Sequence, residues 1–168
     1  MTTIPDTQLL LADMAEALHT LLSAEGKTEP VMIGIHSGGA WVAEHLHRLL
    51  NLTQPLGTLD ISFYRDDFTR IGMHPQVKPS CLPFNVDERH ILLVDDVLHT
   101  GRTIRAALNE IFDYGRPASI TLAVLVERPG RELPIGARVV GCHMALAANE
   151  YVKLSGPDDL RLTLQRTP

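Results

Sequence analysis

Residues 90–115 constrain this chain more than any other stretch. His90-Ile91-Leu92-Leu93-Val94 is strongly apolar, the composition of a strand buried on both faces, and it ends on two adjacent carboxylates, Asp95-Asp96. After Val97-Leu98-His99-Thr100-Gly101-Arg102-Thr103, the residues Ile104, Leu108, Ile111 and Phe112 recur at helical spacing, and the pattern stops at Gly115, placed as a C′ glycine. Strand, short polar turn and helix make half of a βαβ unit, which commits the chain to an α/β fold with a mostly parallel sheet.

The other segments agree with that choice. Leu10, Met14, Leu18, Leu21 and Leu22 predict an amphipathic helix over about 7–23, capped by Asp6 or Thr7. Val31-Met32-Ile33-Gly34-Ile35 predicts a buried strand, which leads through His36-Ser37-Gly38-Gly39 into a second helix carrying Trp41, Val42, Leu46 and Leu49. Leu56 to Tyr64 has strand composition, with Leu59, Ile61 and Phe63 on one face and Asp60 and Ser62 on the other. From Arg65 to Glu88 the pattern dissolves around Gly72, Pro75, Pro79 and Pro83, and a loop of that length points to a functional lid or a flexible hairpin. Ser119–Val126 and Ala137–Gly141 predict further strands, and Tyr151–Leu154 with Leu160–Leu164 an edge hairpin. No repeat or linker interrupts the chain, so residues 1–168 are expected to form one domain with a lid at about 65–89.

Composition narrows the function classes. At 168 residues and 45% hydrophobic, the chain is long and apolar enough to bury a core, yet holds no run that would span a membrane. A net charge of −5 without a block of like charge argues against nucleic-acid binding by bulk basicity. Cys81 and Cys142 are too few for a disulfide scaffold or a four-thiolate metal site. The start, Met1-Thr2-Thr3-Ile4-Pro5-Asp6, lacks the basic and apolar regions of a secretory signal, so a soluble, cytoplasmic protein is expected.

In open α/β sheets, ligands bind in the crevice outside the carboxyl ends of the strands. Backbone N–H groups of the Thr100–Thr103 turn and of the helix that follows can converge there on a phosphate, with the Thr100 and Thr103 hydroxyls as further donors. Asp95 and Asp96 would repel a phosphate directly. Beside it they suit ribose hydroxyls, or a Mg²⁺ that offsets their charge. Gly38-Gly39 offers a second phosphate turn, or serves only as a tight strand-to-helix connection. Two such turns flanking a diol-binding acidic pair suggest phosphoribosyl pyrophosphate as the ligand.

The segment Val94–Thr103 resembles the phosphoribosyl-pyrophosphate motif of type I phosphoribosyltransferases. Together, Tyr64-Arg65-Asp66-Asp67, Gly115-Arg116-Pro117, Leu122-Ala123-Val124-Leu125-Val126 and Arg131-Glu132-Leu133-Pro134-Ile135 resemble the PyrR family, pyrimidine-operon regulators that are also uracil phosphoribosyltransferases. The likeness covers about residues 5–165. It implies a type I phosphoribosyltransferase fold, with a central sheet flanked by helices, a lid and a small C-terminal hood. It further implies conversion of uracil and phosphoribosyl pyrophosphate to UMP and pyrophosphate with Mg²⁺, and a homodimer or higher oligomer. On that likeness Asp95, Asp96 and Arg65 are catalytic, and the aspartates also serve the metal. Ser37, Gly38, Gly39 and the run Asp95, Asp96, Val97, Leu98, His99, Thr100, Gly101, Arg102 and Thr103 bind phosphoribosyl pyrophosphate. Val126, Arg128, Cys142 and His143 surround the base.

The chain also departs from the family pattern. His36-Ser37-Gly38-Gly39 stands where relatives read Lys-Thr-Arg-Gly, so Gly38 replaces a charged contact to pyrophosphate. His99 replaces a tyrosine, and Gly141-Cys142-His143-Met144-Ala145-Leu146 replaces Gly-Lys-Asn-Ile-Pro-Thr. These changes motivate a second reading, a catalytically weak, nucleotide-sensing regulator whose turnover Gly38→Arg would raise. Over Leu9–His19 the first helix carries Asp13 and Glu16 and no Lys or Arg, which disfavours RNA on that surface.

Overall fold

The computed structural model describes residues 3–61 and 80–168. Arg65, residues 65–79 of the lid expected at about 65–89, and Ser62–Tyr64 of the strand expected over Leu56–Tyr64 lie outside them. Helix α1 (Thr7–Ala24) leads to strand β1 (Val31–Ile35), helix α2 (Gly38–Leu49) and a short strand β2 (Gly57–Leu59). Strand β3 (His90–Leu98), helix α3 (Arg102–Tyr114), strand β4 (Ser119–Glu127) and strand β5 (Val139–His143) follow, and β6 (Glu150–Ser155) and β7 (Arg161–Arg166) close the chain.

Among the described residues, five strands form one parallel sheet in the order β2-β1-β3-β4-β5, with β3 at its centre. Alternate side chains of β3 enter different layers, as a strand covered on both faces requires. Leu92 and Val94 pack with Leu11, Met14 and Leu18 of α1 and Val42 and Leu46 of α2. Ile91 and Leu93 pack with Ile104 and Ile111 of α3 and with Ile33 and Val124. The sheet is therefore sandwiched between helices, with every strand end that could carry chemistry on one edge.

Asp6 caps α1, its Oδ1 accepting from the amides of Gln8 at 2.8 Å and Leu9 at 3.1 Å. Asp6→Ala is expected to lower stability by about 1 kcal/mol, the usual worth of a side-chain N-cap. A denaturant midpoint unmoved by the substitution would remove the cap from the account.

Several local expectations are revised. Strand β3 continues through Asp95-Asp96 to Leu98, paired with β4 as far as Leu98 opposite Glu127. Asp60, on the face opposite Leu59 and Ile61, is buried as they are, and its amide donates to Ser80 Oγ at 3.0 Å. Phe112, one of the four residues that mark the helix by their spacing, is 57% exposed. Gly115 ends α3 in an extended conformation and not as a left-handed C′ residue; a Cβ there would lie 2.5 Å from Asp87 Oδ1, the acceptor for the Arg116 amide. Residues 80–89, placed by the sequence within the lid, are docked: Cys81 exchanges both backbone hydrogen bonds with Thr58, and Val86 is buried.

Strands β6 and β7 do pair, but as a separate antiparallel sheet and not on an edge of the main one. Leu154 and Leu162 join the core under α1 and α2, and the Leu162 amide donates to Thr7 Oγ1 at 3.1 Å.

Candidate active site

Because β1, β3, β4 and β5 are parallel, their C-terminal ends share one edge, and the turns that leave them meet there. Asp95 is 4% exposed, and its Oδ1 accepts from the Asp96 amide at 2.9 Å. Asp96 is more open, and its Oδ1 accepts from the Val97 amide at 2.9 Å. These bonds fix both carboxylates against the strand end.

The glycine turn after β1 lies directly against this pair. A Cβ on Gly38 would sit 2.2 Å from Asp96 Oδ2, and one on Gly39 would sit 2.8 Å from both Asp95 Oδ1 and the Val94 carbonyl. Ser37 is the N-cap position of α2 and makes no side-chain cap bond. The first turn of α2 thus abuts two carboxylates, where the positive end of a helix dipole favours negative charge. Sequence reasoning linked Gly38 and Gly39 to phosphate. Their closest neighbours are the acidic pair, and that close approach is what requires the absent Cβ.

The turn from β3 into α3 is held from behind. The Leu98 carbonyl accepts from the Arg128 amide at 2.9 Å, and the Thr100 carbonyl from the amides of Glu132 at 2.9 Å and Leu133 at 3.2 Å. The His99 carbonyl accepts from the Arg131 guanidinium. A trans peptide points its C=O and the next N–H in opposite directions. Tying three consecutive carbonyls to residues 128–133 therefore turns the amides of His99, Thr100 and Gly101 the other way. Gly101, at φ +94, supplies the left-handed step into α3, and Thr100 Oγ1 accepts from the Arg102 amide at 3.2 Å. Arg102 itself pairs with Glu132 at 3.0 Å, so its charge is turned toward the 128–133 segment. His99 lies close to Gly130, where a Cβ would be 3.0 Å from its Nε2. Burial first, and then the nearby Arg128, hold its pKa below the ordinary imidazole value, which keeps the ring neutral at pH 7.

On the far side of the turn, Glu127 ends β4 and His143 ends β5, directly paired in register. Glu127 Oε2 lies 2.9 Å from His143 Nδ1, and Oε1 accepts from Arg131 Nη2 at 2.6 Å. With Arg128, Pro129, Met144 and Ala145, these residues line an open cavity of about 450 Å³. Arg128 Nε is buried, with no hydrogen-bond partner among the described residues. Of the four residues expected around the base, Arg128 and His143 line this cavity. Val126 is fully buried in the core and Cys142 packs against it, where burial pushes the thiol pKa up. Glu127 and Arg131 were missed as site residues. Their signal was present, an acid at the end of a strand parallel to β3 and an arginine four residues on, but nothing in the sequence shows the chain folding back at Gly130 (φ +111).

Among the described residues, no three His, Cys, Asp or Glu side chains cluster as a metal site, and no helix is long and apolar enough to cross a membrane.

Residues 1–152 match the phosphoribosyl transferase domain family. The chain is 65% identical over 158 residues to the bifunctional protein PyrR of Nitrosococcus oceani, covering 93% of this chain and 89% of that protein. It is 57% identical over 159 residues to the bifunctional protein PyrR of Pseudomonas aeruginosa, covering 95% and 94%. Among solved structures, the hypoxanthine phosphoribosyltransferase of Trypanosoma cruzi superposes with a TM-score of 0.70 at 20% identity, covering 96% of this chain and 93% of that one, a likeness of fold.

Proposed function

Because this chain belongs to the phosphoribosyltransferase family and, within it, to the PyrR group, we propose that it transfers a phosphoribosyl group to uracil, forming UMP and pyrophosphate. The observation that carries this reading is the packing of Asp95 and Asp96 between the first turn of α2 and the amide-lined turn into α3. A phosphate on the Thr100–Thr103 turn leaves its ribose beside the carboxylates, each able to accept from a hydroxyl. The N1 of uracil then bonds to the anomeric carbon, its proton passing to solvent, as the bond to the pyrophosphate oxygen breaks and pyrophosphate departs with the electron pair. The negative environment suits the cationic sugar of that transition state.

The two carboxylates also fit Mg²⁺, which is held through one or two carboxylates together with substrate phosphates and needs no closed protein cage. Asp96, the more open of the pair, and Asp95 would hold it, and it would supply charge neutralisation on the departing pyrophosphate. The base would occupy the Glu127–Ala145 cavity, lined by Glu127, Arg128 and His143, whose polar groups can meet the carbonyls and imide N–H of uracil. Arg65, which the likeness makes catalytic, lies outside the described residues.

Regulation of pyrimidine genes through RNA belongs to the same reading, but α1 presents exposed Asp13 and Glu16 and so is not the surface that would meet phosphate. Assembly as a homodimer or larger oligomer, in the cytoplasm, completes it.

The deciding experiment offers uracil, hypoxanthine and guanine in turn with phosphoribosyl pyrophosphate and Mg²⁺ and follows pyrophosphate release. UMP is the expected product. Preferential formation of a purine nucleotide, or no release with any base, would overturn the assignment.

A further inference from the structure

The segment Arg131-Glu132-Leu133 and the strand-end acid Glu127 take no part in the chemistry above, yet they hold both halves of the site. We propose that Glu127 is a positioning residue of the transfer reaction, one oxygen setting His143 beside the base cavity and the other setting Arg131, which in turn fixes the phosphate turn at His99.

The geometry is continuous. His143 Nδ1 lies 2.9 Å from Glu127 Oε2, Arg131 Nη2 lies 2.6 Å from Glu127 Oε1, and Arg131 Nη1 donates to the His99 carbonyl. The guanidinium therefore spans a carboxylate and a main-chain carbonyl at once, which its planar fork does and a lysine ammonium does not. The neighbouring carbonyls of Leu98 and Thr100 are held by main-chain amides, which no side-chain substitution removes. His99 is the one carbonyl of the three whose anchor is a side chain, and that side chain is itself oriented by Glu127. Orientation of the His99 peptide decides where the Thr100 amide points, so a change at Glu127 reaches the phosphate without any contact to it.

At the other end, the Glu127 carboxylate holds the His143 ring by Nδ1 at the rim of the base cavity. One side chain thus sets the placement of a ring beside the base site and the amide geometry of the phosphate site. The role rests on the phosphoribosyl-transfer reading, and its test is arranged so that the two fail separately.

Calorimetric affinity for ribose 5-phosphate, which has no base, is measured for the wild type, Glu127→Ala, Arg131→Ala and the double variant, beside KM and kcat for both substrates. Each single variant is expected to weaken ribose 5-phosphate about tenfold, and the double variant no more than the weaker single one, because the two act as one unit. Glu127→Gln keeps the size and one acceptor, and is expected to fall between wild type and Glu127→Ala. It also serves if the alanine variant does not fold. In kinetics, KM for phosphoribosyl pyrophosphate should rise more than kcat falls, a split that general destabilisation does not give. Unchanged ribose 5-phosphate affinity in Glu127→Ala, or additive losses in the double variant, would overturn the role. A wild type that binds no ribose 5-phosphate overturns it as well. A wild type that binds it but forms no UMP sinks the proposed function alone, and the variant series still decides the positioning role.

Discussion

Asp96→Asn is expected to lower kcat/KM for UMP formation by about 10²–10³-fold, some 3–4 kcal/mol of transition-state stabilisation, and Asp95→Asn with Asp96→Asn together to abolish it. The two positions are not equivalent. Asp95 is almost wholly buried, and its Oδ1 holds the Asp96 amide at 2.9 Å, so its first duty is to fix the backbone that carries its neighbour. An asparagine keeps that acceptor but adds a donor and removes a charge next to the first turn of α2. Asp96 is the more open carboxylate, and its Oδ2 faces the glycine turn. Asparagine there keeps the acceptor for the Val97 amide and loses only the charge that the sugar cation and the metal would meet. Asp96→Asn should therefore melt near the wild type while losing turnover, and Asp95→Asn should lose both. Steady-state kinetics beside thermal melts check the pair; an Asp96→Asn enzyme within threefold of wild type would end the assignment of that carboxylate to chemistry.

The parts legible in the sequence are those set by period and punctuation. The β3 run and the helical spacing after it placed the acidic pair at the head of a helix, because burial on two faces demands unbroken apolar residues and a helix demands its own repeat. What was not legible depends on register and fold-back. Val126 reads as a strand-end residue that could face a ligand, yet in register with Val97 and Cys142 it turns into the core. Glu127, one residue later, reads as an ordinary polar strand end, and only the neighbouring end of β5 and the return of residues 128–133 give it two partners. Asp60 alternates with Leu59 and Ile61 in the sequence, yet it is buried as they are, and its amide donates to Ser80 Oγ, twenty residues on. The Arg131–Ile135 segment marked a family likeness by its letters alone; its role as the backing of the phosphate turn appears only when three consecutive carbonyls are seen to end on residues 128–133.

Gly38 is where sequence and structure disagree most usefully, and the largest structural effect is expected beside it. Read against its relatives, Gly38 is a lost arginine, and Gly38→Arg should raise turnover. In the structure the Cβ of any side chain at 38 would fall 2.2 Å from Asp96 Oδ2 and 2.7 Å from its Cγ. Asp96 would have to leave the rotamer in which it accepts from Val97. The expected result of Gly38→Arg is thus a loss of turnover, with little loss of stability, since one short side chain can swing aside. Gly39→Ala is the opposite case. Its Cβ would lie 2.8 Å from the Val94 carbonyl and 2.9 Å from the Asp95 Cα, and the backbone of a central strand cannot yield. Overpacking of this kind costs about 1–3 kcal/mol, so Gly39→Ala should melt several degrees lower and also move the carboxylates it abuts. Measured together, the two variants separate the accounts. A gain in turnover for Gly38→Arg would mean that Asp96 has room to move and that the arginine had indeed been lost. A Gly39→Ala enzyme that melts with the wild type would mean that the first turn of α2 does not press on β3 as described.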